Sequence, residues 1–318
     1  MEKHTLAKNE IVAARNTFPI LIYVIFFTLF TIIFPIIFNN KFLLHVAILA
    51  NIFALVAISW DLLFGFVGIL NLAPAVFYGA GAYTVGFLTK YYHIYPIGGL
   101  IIAGCVGLLL SLLLGLPSLR LRGAYYAMAT LAFSAVLNTL ALGMPNITGG
   151  EEGIIGIPSL ISGTKWNFYF SSCLLFTCVL ALKYMLSTKF GRRLTSIRED
   201  EILSQAAGIN TSKYKVIAST VGGVIAGLAL GYSCYYLNNV APEVFSIAFT
   251  FSIITITVTG GIGTIIGPVI GSYLLTFANE NLYIIGQYRL LVYSGIIIFV
   301  ILFSPTGIIG VVKKLKGN

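Results

Sequence analysis

The sequence predicts an all-α fold: a polytopic transmembrane helical bundle of about ten spans with Gly/Pro-broken segments and a charged helix outside the membrane. Three observations predict it. Of 318 residues, 58% are hydrophobic and 9% are charged. The uncharged runs cluster near 20 residues, the length that crosses about 30 Å of hydrocarbon at about 1.5 Å per residue. The charges that do occur gather in short segments between those runs.

Taken in order, residues 1–17 are an expected cytoplasmic N-terminus. The run 18–38 reads as a retained span: it starts only at Phe18, and no small-x-small cleavage pattern follows it. The run 43–64 is the second span. Region 65–90 is interrupted by glycines and reads as a span over 72–90 entered through a broken segment. Spans 97–115, 124–143 and 169–186 follow. Residues 187–214 form the longest charged loop, and 215–236 the next span. Region 246–284 divides at its glycines into 246–260 and 266–284. The last span is 289–310, followed by a basic tail, 311–318. The whole of 1–318 reads as one transmembrane domain.

With the N-terminus placed in the cytoplasm, all but four of the 19 Lys and Arg residues fall on the cytoplasmic side. The exceptions are Lys41, Lys90, Lys165 and Arg289. This bias follows the positive-inside rule and puts both termini in the cytoplasm. It also accounts for the net charge of +9 without a nucleic-acid partner, because no basic patch interleaved with aromatic residues occurs outside these loops.

The stretch "SIREDEILSQAAGIN" (196–210) stands out by its charge. Ser196 followed by Glu199 fits a capping box, in which each side chain satisfies a free backbone N–H at a helix start. Glu199, Asp200 and Glu201 then fall in or near a first turn, where the helix dipole favours negative charge. Ile202, Leu203, Ala206 and Ala207 follow at helical spacing, and Gly208 stands where a C′ glycine ends a helix. Asn210 or Thr211 caps the next helix. The expectation is one amphipathic helix of about 11 residues, too short to be stable alone. It either lies on the membrane surface or docks a soluble partner.

Catalytic signatures are absent from the sequence. No Gly-Lys-Ser/Thr follows the glycine-rich runs, so the chain has no P-loop with which to hydrolyse ATP. H-E-x-x-H, G-x-S-x-G and C-x-x-C are missing, His4, His45 and His93 are scattered, and no metal site is expected. Cys105, Cys173, Cys178 and Cys234 lie in apolar runs and read as small buried hydrophobes. Asp61 and Glu280 are the notable acidic residues within apolar segments, each near a span end, where snorkelling or capping competes with a transport role.

Glycines are patterned. Gly223, Gly227 and Gly231, and likewise Gly267 and Gly271, form small-xxx-small faces suited to close helix packing. Two other clusters, "FGFVGILNLAPAVFYGAGAY" (64–83) and "VTGGIGTIIGPVIGSY" (258–273), break apolar segments. Irregular backbone at membrane depth is tolerated where it is buried in protein or lines a cavity, and paired interruptions in two halves of a chain point to a pathway. Asn71, Pro74, Gly79, Gly81, Tyr83, Gly260, Gly261 and Gly263 are the candidate pathway residues.

"NLAPAVFYGAGAYT", "LRLRGAYYAMATLAF", "ITGGEEGIIGIP", "FGRRLTSIREDEILSQAAGIN", "GGIGTIIGPVIGS" and "RLLVYSGIIIFVILFSPTGIIG", in this order across about 43–310, resemble the permease subunits of branched-chain amino acid ABC importers. The resemblance implies a bacterial inner-membrane permease that pairs with a second, related permease. It implies ABC ATPase subunits that use ATP and Mg2+, so that this chain binds no cofactor, and an extracytoplasmic solute-binding protein that delivers the substrate. Carried over, Arg198, Glu199, Asp200, Glu201, Ala206, Ala207 and Gly208 form the segment coupled to the ATPase. The outer loop 144–160, with Glu151 and Glu152, is either the docking surface of the binding protein or a solvated acidic turn. Two positions depart from the family pattern. Ala73-Pro74 replaces a Gly-Gln or Gly-His pair, and Ala124 stands where an acidic residue is common. The implied substrate is a small amino acid, most simply leucine, isoleucine or valine, with urea, nucleosides or sugars as the family's other cargoes. A stand-alone secondary transporter is the alternative from a different class.

Overall fold

In the computed structural model, residues 20–37, 40–117, 121, 123–282, 295 and 307–310 are described. The expected termini, 1–17 and 311–318, and most of the expected last span, 289–310, lie outside the described residues. The helices are α1 (Ile20–Ile37), α2 (Lys41–Asp61), α3 (Pro74–Tyr92), α4 (Pro96–Gly115), α5 (Ala124–Gly143), α6 (Thr164–Ser187), α7 (Lys189–Glu199), α8 (Glu201–Ala206), α9 (Thr211–Leu237), α10 (Ile247–Gly260) and α11 (Ile266–Asn281). A π-helical turn, Leu62–Val67, continues α2. Five of these helices are long and apolar enough to cross a membrane by length and composition: α2 with its π turn, α4, α5, α6 and α9.

Burial separates them into an inner and an outer set. Within their apolar windows, α2 is 72% buried and α9 67%, against 28–39% for α4, α5 and α6. The two inner helices are therefore the spine. The outer ones turn Leu109 and Leu113, Tyr125 and Met128, and Trp166 and Tyr184 outward, as helices facing lipid do. Cys105 and Cys173 share those outward faces, while Cys178 and Cys234 are buried. The expectation of four buried cysteines is corrected for the first pair, because hydrophobicity does not tell a protein-facing position from a lipid-facing one.

In lipid the attraction between helices rests on close packing and hydrogen bonds rather than on removal of water. Helix α9 meets α4 through its glycine face. A Cβ on Gly223 would collide with Ser111 and the Gly107 carbonyl, and one on Gly227 with the Ala103 carbonyl. Gly231 rests on the Ala103 methyl. The expected packing role of this face is what the structure contains. Gly267 and Gly271 do the same for the hairpin of α10 and α11, seated on the Gly261 and Ile256 carbonyls.

Polar side chains pin the remaining crossings. Asn51 on α2 donates to Ser171 and Ser172 of α6, both at 3.0 Å, and accepts from the Tyr273 hydroxyl of α11 at 2.6 Å. Ser272 donates to the Ala50 carbonyl at 3.0 Å. At the far end, strand β1 (Ile154–Ile155) pairs antiparallel with β2 (Asn239–Val240). Asn238, in the left-handed region at φ 59, donates from its side chain to Ile157 at 2.7 Å and to Ser159 at 3.0 Å. The loop after α5 is thereby knotted to the end of α9.

Placing a leucine at Gly107 should overpack the α4–α9 crossing and cost about 1–3 kcal/mol. The measurement is thermal unfolding of the detergent-solubilised protein. A midpoint equal to that of the unsubstituted protein would refute the close backbone approach.

Candidate functional site

The site is built on the two broken segments. Helix α2 ends at Asp61, whose residue is only 1% exposed. A carboxylate in such a place is costly unless hydrogen-bonded. Its Oδ1 accepts the Gly263 N–H at 2.8 Å and its Oδ2 the Thr264 N–H at 3.1 Å. Full burial leaves no room for snorkelling. The carboxylate caps the turn 261–265 between α10 and α11. That turn needs glycine, since Gly261 and Gly263 sit at φ 124 and φ 69, where a side chain is strained. The Thr264 hydroxyl closes it by donating to the Gly261 carbonyl at 2.6 Å and accepting the Gly267 N–H at 3.1 Å. Gly307 abuts the same turn, leaving no space for a Cβ against Gly261.

One turn beyond Asp61, Gly65 carries no side chain because the Asp61 carboxylate and the Gly263 backbone occupy that space. The Gly65 carbonyl accepts a hydrogen bond from the Arg198 guanidinium of α7. The Arg198 side chain then lies on Gly68, which ends the π turn at φ 83. The other break, 68–73, is also supplied with partners. Trp60 Nε1 donates to the Asn71 carbonyl at 2.6 Å, the Asn71 side chain accepts the Ala73 N–H at 2.8 Å, and Thr130 of α5 accepts the Leu72 N–H at 3.1 Å. Pro74 opens α3 at its first position, where its missing N–H is no loss.

The predicted pathway residues fall in different surroundings. Gly261 and Gly263 belong to the Asp61-capped turn, and Gly260 is the last residue of α10 before it. Asn71 lies in the other break, with its Nδ2 buried and without a partner among the described residues. Gly79 makes room for the Phe245 ring, which stacks on Tyr83 at 5.7 Å between centroids. Gly81 faces the Gly227 carbonyl of α9, about 3.0 Å from where a Cβ would stand. Glu151 and Glu152 are exposed at the opposite end, on a 3-10 turn beside β1. Glu280 sits near the end of α11. Among the described residues no three His, Cys, Asp or Glu side chains gather as a metal site would require.

The charged loop differs from its expected form. It is two helices, not one. Ser196 lies inside α7, so there is no capping box. Thr188 caps α7 by accepting the Phe190 N–H at 3.2 Å, and Asp200 caps α8 by accepting the Leu203 N–H at 2.9 Å. The reason is the apolar register Gly191, Leu194, Ile197, all buried, which winds the helix from Lys189 straight through Ser196. An aspartate then competes with the ladder and breaks it. Ser196 instead bonds Ser204 across the break at 2.8 Å. Glu201 is engaged within the chain, bridging to Lys215 at 2.6 Å and accepting from Thr211 at 3.3 Å. Gly208 does close α8, at φ 81, and Asn210 does cap α9, accepting the Lys213 N–H at 3.1 Å. Glu199, Asp200 and Gln205 stay exposed, and with them an apolar pair: Ile202 and Leu203 are each 69% exposed, beside exposed Ala206, Ala207 and Gly208.

Residues 42–303 match the family described as branched-chain amino acid transport system / permease component. The chain belongs to this family. The permease is 28% identical to the high-affinity branched-chain amino acid transport system permease protein LivM of Salmonella typhimurium over 305 residues, 86% of this chain and 72% of that protein. It is 25% identical to LivH of the same organism over 291 residues, 82% and 92% of the two chains. It is 26% identical to the probable branched-chain permease LivM of Methanocaldococcus jannaschii over 260 residues, 70% and 75%. No solved structure matches. The permease is thus a multi-pass membrane protein of a branched-chain amino acid transport family.

Replacing Asp200 by alanine removes the cap of α8 and should weaken that helix by about 1 kcal/mol, roughly fivefold in local opening. Hydrogen exchange of the Leu203 amide checks this. An unchanged rate would show that α8 is held by its contacts with α7 and α9 alone.

Proposed function

We propose that this chain is the transmembrane permease subunit of an ATP-binding cassette importer and forms the translocation pathway for leucine, isoleucine or valine. The observation that carries the reading is the exposed pair Ile202 and Leu203 on α8, a two-turn helix braced by Asp200, Ser196 and the Glu201–Lys215 bridge. A short, fixed helix that presents apolar side chains outward suits a groove on a soluble partner. In this reading the partner is an ATPase subunit that binds ATP and Mg2+, and the end bearing α7 and α8 is cytoplasmic, as are both termini. Arg198, Glu199, Asp200, Glu201, Ala206, Ala207 and Gly208 make up the coupling segment.

The remaining assignments follow from the same frame. The exposed Glu151 and Glu152 turn receives an extracytoplasmic solute-binding protein. A second, related permease completes the pathway, and about ten spans cross the bacterial inner membrane. Asn71, Pro74, Gly79, Gly81, Tyr83, Gly260, Gly261 and Gly263 line or shape the route. An interior with few charges suits a zwitterion with an apolar side chain. The names carried by the relatives favour branched-chain amino acids over the family's other cargoes.

Uptake of labelled leucine into proteoliposomes tests the reading. It should require ATP, the ATPase subunits and the binding protein, with excess isoleucine and valine competing and urea not. Substituting both Ile202→Asp and Leu203→Asp should reduce co-purification of the ATPase by about tenfold or more, as loss of an apolar anchor does. Uptake by this chain alone, or undiminished ATPase binding by the double variant, would overturn it.

A further inference from the structure

We infer that Asp61, Gly65 and Arg198 form a mechanical junction that carries motion of the α7–α8 pair into the two broken segments of the membrane interior. Asp61 and Arg198 are its positioning residues. The inference rests on the importer reading above and concerns how that reading works inside the chain.

Three observations converge on Gly65. Its carbonyl takes the Arg198 guanidinium from α7, 133 residues away. Its missing side chain admits the Asp61 carboxylate. That carboxylate holds the turn between α10 and α11, 202 residues away. The helix pair, the π turn and the 261–265 turn therefore share one residue. The links also choose particular partners. Arg198 grips the π turn, a rare conformation within helices, and Asp61 grips a turn whose Gly261 and Gly263 have positive φ. These segments are where the interior backbone can change its dihedrals without breaking an α-helical ladder.

The same geometry gives Arg198 a direction. In a segment expected to contact an ATPase, its guanidinium turns inward to the permease backbone. On the other side of α7, the Ser196–Ser204 bond at 2.8 Å and the Glu201–Lys215 bridge at 2.6 Å fix α8 to α7 and α9. The path from the exposed α8 face to Gly263 is a chain of short polar links between rigid pieces. Displacing α8 moves α7 as a body. Arg198 passes the shift to the π turn, and Asp61 passes it to the 261–265 turn.

Two measurements test it. In the full chain in detergent, without any partner, the modification rate of Ile262→Cys by a small maleimide is read by mass spectrometry of the peptide. Both Asp61→Asn and Arg198→Ala should speed it, the first by removing a carboxylate oxygen from the turn and the second by freeing the π turn packed against it. Arg198→Lys, which retains a donor, should restore part of the protection. An unchanged rate in both variants would overturn the junction, whatever the fate of the importer reading. In the reconstituted complex, leucine uptake per ATP hydrolysed should fall at least about fivefold for Arg198→Ala, and the Asp61→Asn, Arg198→Ala double variant should fall by less than the product of the two single effects. Loss of ATPase co-purification at unchanged uptake per ATP would make Arg198 a docking contact and overturn the inference. No ATP-dependent uptake by the unsubstituted complex would sink the importer reading and leave the labelling result to decide the junction.

Discussion

A carboxylate that accepts two backbone N–H groups from a turn 202 residues away anchors the interior of this protein. The constraint behind it is general. Hydrocarbon offers no hydrogen bonds, so a chain that leaves the helical ladder inside a membrane must find partners for every freed N–H and C=O. Each broken segment here obtains them from side chains on other elements or close in sequence. The turn 261–265 is supplied by Asp61 and Thr264, and the break 68–73 by Trp60, Asn71 and Thr130. Removing any of these would strand a backbone group rather than delete a contact, which costs more than the net worth of the bond.

This supply of partners also orders the helices. Asp61 can reach Gly263 only if α2 and the α10–α11 hairpin are in register, and Ser272 on Ala50 together with Tyr273 on Asn51 hold the same register higher up. The glycine faces do the complementary work, bringing backbones close where no side chain intervenes. The fold is thus a set of tight crossings, each fixed by one or two directional bonds.

Much of the helical plan was legible in the sequence. The edges of α4 and α5 follow directly from the ends of apolar runs, the start of α9 lies ahead of its run at the Asn210 cap, and the glycine face of α9 was readable as packing from its four-residue spacing. The stop at Gly208 and the cap at Asn210 were equally local. The division of the charged loop was not, because two candidate caps, Ser196 and Asp200, compete within five residues. Only the burial of Leu194 and Ile197 decides between them. Asp61 was visible as an isolated carboxylate in an apolar run. Its partners were not, since a hydrogen bond across 202 residues leaves no periodicity, and backbone donors have no side chain to betray them. Arg198 was legible as part of a charged loop, whereas its inward turn to the Gly65 carbonyl was not.

Helix α9 has a consequence that its burial alone does not convey. Its 27 residues make a strut about 40 Å long at 1.5 Å per residue. One tip is knotted through Asn238 to the loop carrying Glu151 and Glu152, and the other is bridged by Lys215 to α8. The loop carrying Glu151 and Glu152 and the charged loop carrying α8 are joined by a single unbroken rod. No break in the helix separates the end that carries Asn238 from the end that carries Lys215.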